Sequence, residues 1–144
     1  MSKVISTEEA TRLRQQLMTM ARRLRRQGSQ DVLPFGLLTV LGAIDRAGGD
    51  ITPSDLARNE NMRSSNLASA LRELEAAALI VRRPDPQDGR RVRVGLSDAG
   101  RAALASNRHL RDGWLQHALD SLAPDERAAL LRAGELLERL AAID

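Results

Sequence analysis

Residues 79 to 100 restrict what this chain can fold into more than any other stretch. Two short β-branched runs, Ile80-Val81 and Val92-Arg93-Val94, flank a polar turn from Pro84 to Gly89. The spacing predicts a hairpin with strands over about 79–83 and 91–96. A two-stranded ribbon is marginally stable at best in water, so this one must lean on a platform. Arginine lines both arms, with Arg82 and Arg83 on the way out and Arg90, Arg91 and Arg93 on the way back. A basic hairpin projecting from a helical body suits the phosphate-lined groove of a duplex.

The rest of the chain reads as helix. Residues 7 to 27 carry a narrow apolar seam, Leu13, Leu17, Met20 and Leu24. Arg12, Arg14, Arg22, Arg23, Arg25 and Arg26 occupy the other faces, and Gly28 ends the helix. A second helix is expected from Pro34 to Ala47, with Phe35, Leu38, Leu41 and Ile44 on one side, stopping at Gly48-Gly49-Asp50. Thr52-Pro53 is a start signal, a hydroxyl N-cap followed by proline in the first helical position. The short helix from Pro53 to Asn59 leads into a tight connection at Glu60-Asn61-Met62. There Asn61 is the residue most able to take a left-handed backbone. A longer helix follows from Ser64 to Ala77, with Leu67, Ala70, Leu71 and Leu74 inward.

Beyond the hairpin, Ser97 caps a helix reaching about Leu119, with Leu104, Leu110, Trp114, Ala118 and Leu122 as irregularly spaced apolar positions. Ala123-Pro124-Asp125-Glu126 restarts the last helix, apolar at Leu130, Ala133, Leu136, Leu137 and Leu140 and ending near Ile143. The expected order is α-α-α-α-β-β-α-α, mainly α with one small β-hairpin. The first and last helices keep apolar seams with no intramolecular partner beyond each other, which favours a two-fold dimer.

Composition removes whole classes of function. The 144 residues suffice for one domain with a real core, and 42% hydrophobic with 28% charged is a soluble globular balance. Phe35 and Trp114 are the only aromatics, which argues against a β-sandwich or an RNA-stacking sheet. No cysteine is present, so disulfides, thiolate catalysis, thiol redox sensing and cysteine-based zinc sites are excluded. No stretch has the length of a membrane span and the N-terminus lacks a signal pattern, so a cytoplasmic location is expected. Net charge is +3, and Lys3 is the single lysine among 22 basic residues. A G+C-rich coding sequence explains arginine over lysine; the clustering of the arginines carries the functional signal.

The pair of helices at 53 to 77 has the form of a helix-turn-helix, locked by Leu56, Ala57, Met62 and Leu67. Arg63, Ser64, Ser65, Asn66, Ser69 and Arg72 are left on the exposed side of the second helix, a set suited to base edges and phosphates in a major groove. One of Ser64 and Ser65 is also expected to cap that helix. In the hairpin, Arg90 at the tip is placed for a minor groove, Asp88 is expected to hold its guanidinium, and Arg91 accompanies it. Arg82, Arg83 and Arg93 are expected to face phosphates or the ribbon edge.

With these residues in view, the run Asp85-Pro86-x-Asp88-x-Arg90-Arg91, then Val92 to Leu96, Ser97 and Gly100, resembles the signature of the MarR family of bacterial winged-helix regulators. Leu56-Ala57, Leu71, Leu74-Glu75, Leu79-Ile80 and Arg82 agree with it, and the resemblance spans essentially the whole chain. It implies a single MarR-like domain, 1–144, in which 34–96 is a winged helix-turn-helix DNA-binding lobe and 1–30 and 100–144 are dimerisation helices. It further implies a homodimer on a pseudo-palindromic operator in double-stranded DNA, acting as a repressor and released by a small anionic or phenolic effector. Arg90 would then be the minor-groove residue and 63 to 72 the major-groove reader. The sequence departs from the family pattern at Gly89, where a basic residue is common, and at Ala78, where glycine usually follows the recognition helix.

Several alternatives are weaker. A winged-helix protein-interaction module without DNA binding would want an acidic or apolar recognition face and a wing poor in arginine. His109 and His117 lie about 12 Å apart along one helix, too far to share a metal ion. No phosphate loop or catalytic triad is present, so neither enzyme activity nor a cofactor is expected. An effector pocket is expected between the first, second and fifth helices, with Arg12, Arg22 or His109 as carboxylate ligands.

Overall fold

The computed structural model describes residues 4–28 and 33–143. Residues 1–3, 29, 30 and 144 of the expected dimerisation segments lie outside that range. The elements are α1 (Thr7–Gly28), α2 (Phe35–Arg46), α3 (Pro53–Asn59), α4 (Ser64–Ala76), β1 (Ile80–Pro84), β2 (Val92–Leu96), α5 (Asp98–Asp120) and α6 (Pro124–Ala141). The order is the expected one, and the small shifts at the boundaries have local causes. Pro34 stands outside α2 with an extended backbone, as its N-cap. β1 begins at Ile80 because the Leu79 N–H is already committed to the Leu74 carbonyl of the preceding helix, at 2.9 Å.

One hydrophobic core holds the middle of the chain together. It takes Val40, Leu41, Ala43 and Ile44 from α2, Leu56 and Ala57 from α3, and Leu67, Leu71 and Leu74 from α4. Ile80, Val94 and Leu96 of the hairpin complete it, with Leu104 of α5. The leucines of α4 recur at steps of four and three, so burying that stripe leaves Ser65, Ser69 and Arg72 on the opposite face.

The hairpin is antiparallel, with Ile80 opposite Leu96 and Arg82 opposite Val94. On its other side Val94 pairs with Ile51 of the α2–α3 linker, through Val94 N–H to Ile51 O at 2.8 Å and Ile51 N–H to Val94 O at 3.2 Å. That bridge is the platform the ribbon requires. α5 is tied to the base of the hairpin as well. Ser97 Oγ accepts from the Gly100 N–H at 3.0 Å and donates to the Ala78 carbonyl at 2.7 Å. A Cβ on Gly100 would overlap the Leu79 carbonyl oxygen, so the start of α5 requires glycine there.

The outer helices differ from expectation in one respect. α1 has an intramolecular partner in α5, against which it packs. Its seam is left partly uncovered, and neither α1 nor α6 buries a single described residue. Of the apolar positions expected along α5, Leu104 is buried and Leu110 is half exposed. Leu130 and Leu140 of α6 are 49% and 56% exposed. No helix among the described residues is long and apolar enough to cross a membrane.

α2 and α4 end in the same way, with one difference that matters for stability. After α2, Gly48 takes φ +84°, its N–H bonds the Asp45 carbonyl, and the Gly49 N–H bonds the Ile44 carbonyl. After α4 the matching bonds run from Ala78 to Glu75 and from Leu79 to Leu74, but Ala78 holds the left-handed position at φ +57°. A Cβ in that conformation costs about 1 kcal/mol. Ala78→Gly should therefore stabilise the fold by about 1 kcal/mol and raise Tm by about 3 °C in a thermal melt; an unchanged or lower Tm would contradict the strain assigned to Ala78.

Candidate nucleic-acid interface

The connection between α3 and α4 sets the angle at which α4 is presented. Thr52 Oγ1 accepts from the Asp55 N–H at 3.2 Å, and Pro53 fills the first turn of α3. Asn61 then reverses the chain at φ +50°, and the Met62 N–H bonds the Ala57 carbonyl at 2.9 Å. α4 starts two residues later. Its N-cap is Arg63, with an extended backbone and no side-chain capping bond. Neither Ser64 nor Ser65 acts as the cap that the sequence suggested, because both already lie inside the helix. The N–H groups of the first turn are thus left without a side-chain acceptor, a ready partner for a phosphate oxygen.

Arg63, Ser64, Ser65, Asn66, Ser69 and Arg72 are all exposed. Ser64 lines a shallow groove together with Pro53, Ser54, Ala68 and the Arg82 side chain of β1. A second groove, formed by Ser54, Asp55, Arg58, Arg90, Arg91 and Val92, begins at the same Pro53 and Ser54. The groove at the α4 N-terminus and the groove at the wing thus share Pro53 and Ser54.

The wing tip is organised by aspartates. Asp85 Oδ1 accepts from the Gln87 N–H at 2.8 Å and the Asp88 N–H at 3.2 Å, and the Asp85 N–H bonds the Arg91 carbonyl at 3.0 Å. Asp88 corrects an expectation. Its Oδ1 accepts from the backbone N–H of Arg90 at 3.0 Å, and its side chain approaches Arg91 at 3.9 Å. It does not hold the Arg90 guanidinium. A short side chain two residues before its partner reaches the main chain more readily than a long arginine head. Asp88 therefore shapes the turn and leaves the Arg90 side chain outside it.

The remaining wing arginines separate by partner. Arg82 is paired with Glu75 at 2.9 Å. Arg93 donates through Nε to Asp50 Oδ1 at 2.8 Å, through Nη1 to Asp85 Oδ2 at 3.2 Å and through Nη2 to the Asp50 carbonyl at 3.2 Å. Both were expected to face phosphates or the ribbon edge, and both are engaged with carboxylates of the protein itself. Among the described residues, Arg63, Arg72, Arg83 and Arg90 form no ion pair. Their charge is available to a partner.

A separate cavity of about 270 Å³ lies between α2 and α5, lined by Phe35, Leu38, Thr39, Leu104, Asn107 and Arg111 among others. Asn107 is buried and donates from Nδ2 to the Gly28 carbonyl, joining α5 to the end of α1. Among the described residues, Arg111 Nε and Nη2 are buried without a hydrogen-bond partner. The Arg111 guanidinium lies 5.7 Å from the Phe35 ring, and Arg25 stacks on the same ring at 4.6 Å. Arg12, Arg22 and His109, the ligands the sequence suggested, do not line this cavity. Arg111 was missed because its lack of a partner is a tertiary property with no sequence signal. Among the described residues no cluster of potential metal ligands occurs.

Comparison with known proteins places this geometry. Residues 38–91 match the sequence pattern of the MarR family. An uncharacterized HTH-type transcriptional regulator of Mycobacterium leprae is 31% identical over 124 residues, covering 86% of each chain. A candidate transcriptional regulator from Pseudomonas aeruginosa, known from a crystal structure, is 51% identical; the match covers 95% of this chain and 96% of that one, with a TM-score of 0.86. FabT of Streptococcus pneumoniae, solved in complex with DNA, shares the fold at 19% identity, with a TM-score of 0.72 over 92% of this chain and 96% of its own.

The wing tip carries a pH signature of known sign. The Gln87 N–H, followed by Arg93 and the Asp88 N–H, holds the Asp85 carboxyl below the usual carboxylate range, against the opposing effect of burial. A group with a lowered folded pKa stabilises fully above its unfolded value and loses that contribution as pH falls through the folded one. Protection of the Gln87 and Asp88 amides from hydrogen exchange should therefore hold from neutral pH down to about pH 4 and collapse only below it. Asp85→Asn should remove that acid transition; if it persisted unchanged, Asp85 would not be its origin.

Proposed function

Because the chain belongs to the MarR family of transcriptional regulators, we propose that it is a homodimer that binds a pseudo-palindromic operator in double-stranded DNA. In this reading it represses the genes it controls and is released by a small anionic ligand. The observation that carries the proposal is that the groove at the uncapped start of α4 and the groove lined by Arg90 of the wing adjoin at Pro53 and Ser54, which line both. α4 would enter a major groove, with Arg63, Ser64, Ser65, Asn66, Ser69 and Arg72 toward bases and phosphates. Arg90, on a turn shaped by Asp88 and accompanied by Arg91, would enter the neighbouring minor groove. The lobe at 34–96 would do the binding, and helices in 1–30 and 100–144 would form the dimer base. An acidic or apolar protein-docking face is the alternative, and the exposed arginines oppose it.

The dimer follows from the uncovered leucines. Leu13 and Leu17 of α1 and Leu130, Leu136 and Leu140 of α6 are each more than a third exposed. Exposed apolar seams on two helices call for a partner. A second copy would set the two α4 helices about 34 Å apart, matching successive turns of the duplex. Release by a ligand rests on Arg111, whose Nε and Nη2, buried and without a partner among the described residues, suit a carboxylate or phenolate in the α2–α5 cavity. No catalytic chemistry is assigned to the chain, and its place of action would be the cytoplasm.

Fluorescence anisotropy with a duplex selected from random-sequence DNA tests the binding surface. Arg72→Ala and Arg90→Ala should each weaken binding by about 5- to 100-fold and lower its salt dependence. Parental affinity in both would overturn the groove assignments. Sedimentation should give a dimer that Leu136→Glu converts to monomer; a monomeric parent would contradict the dimer. Arg111→Met should raise Tm, since two buried N–H groups without a partner are removed, and should abolish any release of DNA by benzoate. If Arg111→Met lowered Tm and left such release intact, Arg111 would not be the ligand anchor.

A further inference from the structure

We propose that Arg93 is a positioning residue that sets the angle of the wing, and through it the reach of Arg90. The proposal rests on the reading that the wing enters a duplex groove. Three observations converge on the wing root. The guanidinium joins Asp50 of the α2–α3 linker to Asp85 at the head of the tip turn, and it also holds the Asp50 carbonyl. The pair is shielded, with the Asp85 side chain 10% and the Arg93 side chain 29% exposed. Gly95, two residues on, lies so close to the linker that a Cβ there would meet the Gly49 carbonyl oxygen at 2.5 Å.

The register explains why a brace is required at this position. Arg83 and Arg93 stand directly opposite each other across the ribbon, and like charges so placed are destabilising. Asp50 and Asp85 neutralise one member of the pair, and in doing so they strap the ribbon to the linker. Gly48 and Gly49, both with positive φ, make the sharp turn that brings Asp50 to the ribbon. Beyond this strap the tip from Pro86 to Arg90 is exposed. The direction in which Arg90 leaves the body therefore depends on Arg93. Lysine could not replace it, because one ammonium cannot reproduce a planar fork bonded on three sides.

Anisotropy titrations of single and double variants against the same selected duplex separate this role from a direct contact. Arg93→Ala and Asp50→Asn should each weaken binding by about tenfold, an effect the size expected for a lost groove arginine. Each combined with Arg90→Ala should be no weaker than Arg90→Ala alone, whereas each combined with Arg72→Ala should be additive. Arg93→Lys should not restore affinity. Tighter binding by Asp50→Asn would mean that Arg93 is itself a phosphate ligand freed by the change, and would overturn the proposal. So would additivity with Arg90→Ala, with the groove reading left standing. An Arg90→Ala variant of parental affinity would overturn both. Should Arg93→Ala fail to fold, Asp50→Asn, which retains the arginine, carries the same comparison.

Discussion

The burial of Val94 is the constraint on which the outer face of this protein depends. Val94 is fully buried, hydrogen-bonded to Ile51 on one side and paired with Arg82 on the other. Burying a valine side chain contributes about 1.5–3 kcal/mol, more than a free ribbon gains from its own pairing. With Ile80 and Leu96 also in the core, the root of the hairpin is as fixed as the helices it rests on. Only the tip is left to solvent. The ribbon is thereby an extension of the core, and a charge placed at its end has a defined position relative to α4.

Much of this was legible in the sequence, and what was not has a physical reason. Thr52-Pro53 and Asn61 announce α3 and its turn because hydroxyl capping, fixed proline φ and left-handed asparagine are local effects that tertiary packing did not override. Ala78 was marked only by the resemblance, as standing where glycine usually follows the helix, and it does take a left-handed backbone. The roles of Asp88 and Arg93 were not legible. An aspartate two residues before an arginine can bond its backbone or its head, and only the turn geometry decides between them. Arg93 finds Asp50 from 43 positions away, which no local pattern encodes. That the first helix finds a partner in α5 was not legible either, since periodicity identifies an apolar seam and not the seam it meets.

The arginines consequently fall into two populations that composition cannot separate. Arg46, Arg82, Arg93 and Arg108 are paired with carboxylates and hold elements in place. Among the described residues, Arg63, Arg72, Arg83 and Arg90, on the wing and around α4, have no such partners. Leaving these charges bare beside an uncapped helix forgoes the stability, about 1 kcal/mol, that a side-chain cap would contribute. Such local sacrifices are characteristic of binding surfaces, where the missing acceptors come from the ligand. Arg111 repeats the pattern at the cavity between α2 and α5.

The central claim is that α4 and the wing act on one duplex as a single surface, repeated by two-fold symmetry. Hydroxyl-radical footprinting of the unmodified protein on its selected duplex tests this most directly. The account predicts two symmetric pairs of protected patches, each pair joining a backbone segment beside a major groove to the adjoining minor groove, with half-sites about one helical turn apart. Protection confined to a single unpaired patch, or extending uniformly along the duplex, would contradict it.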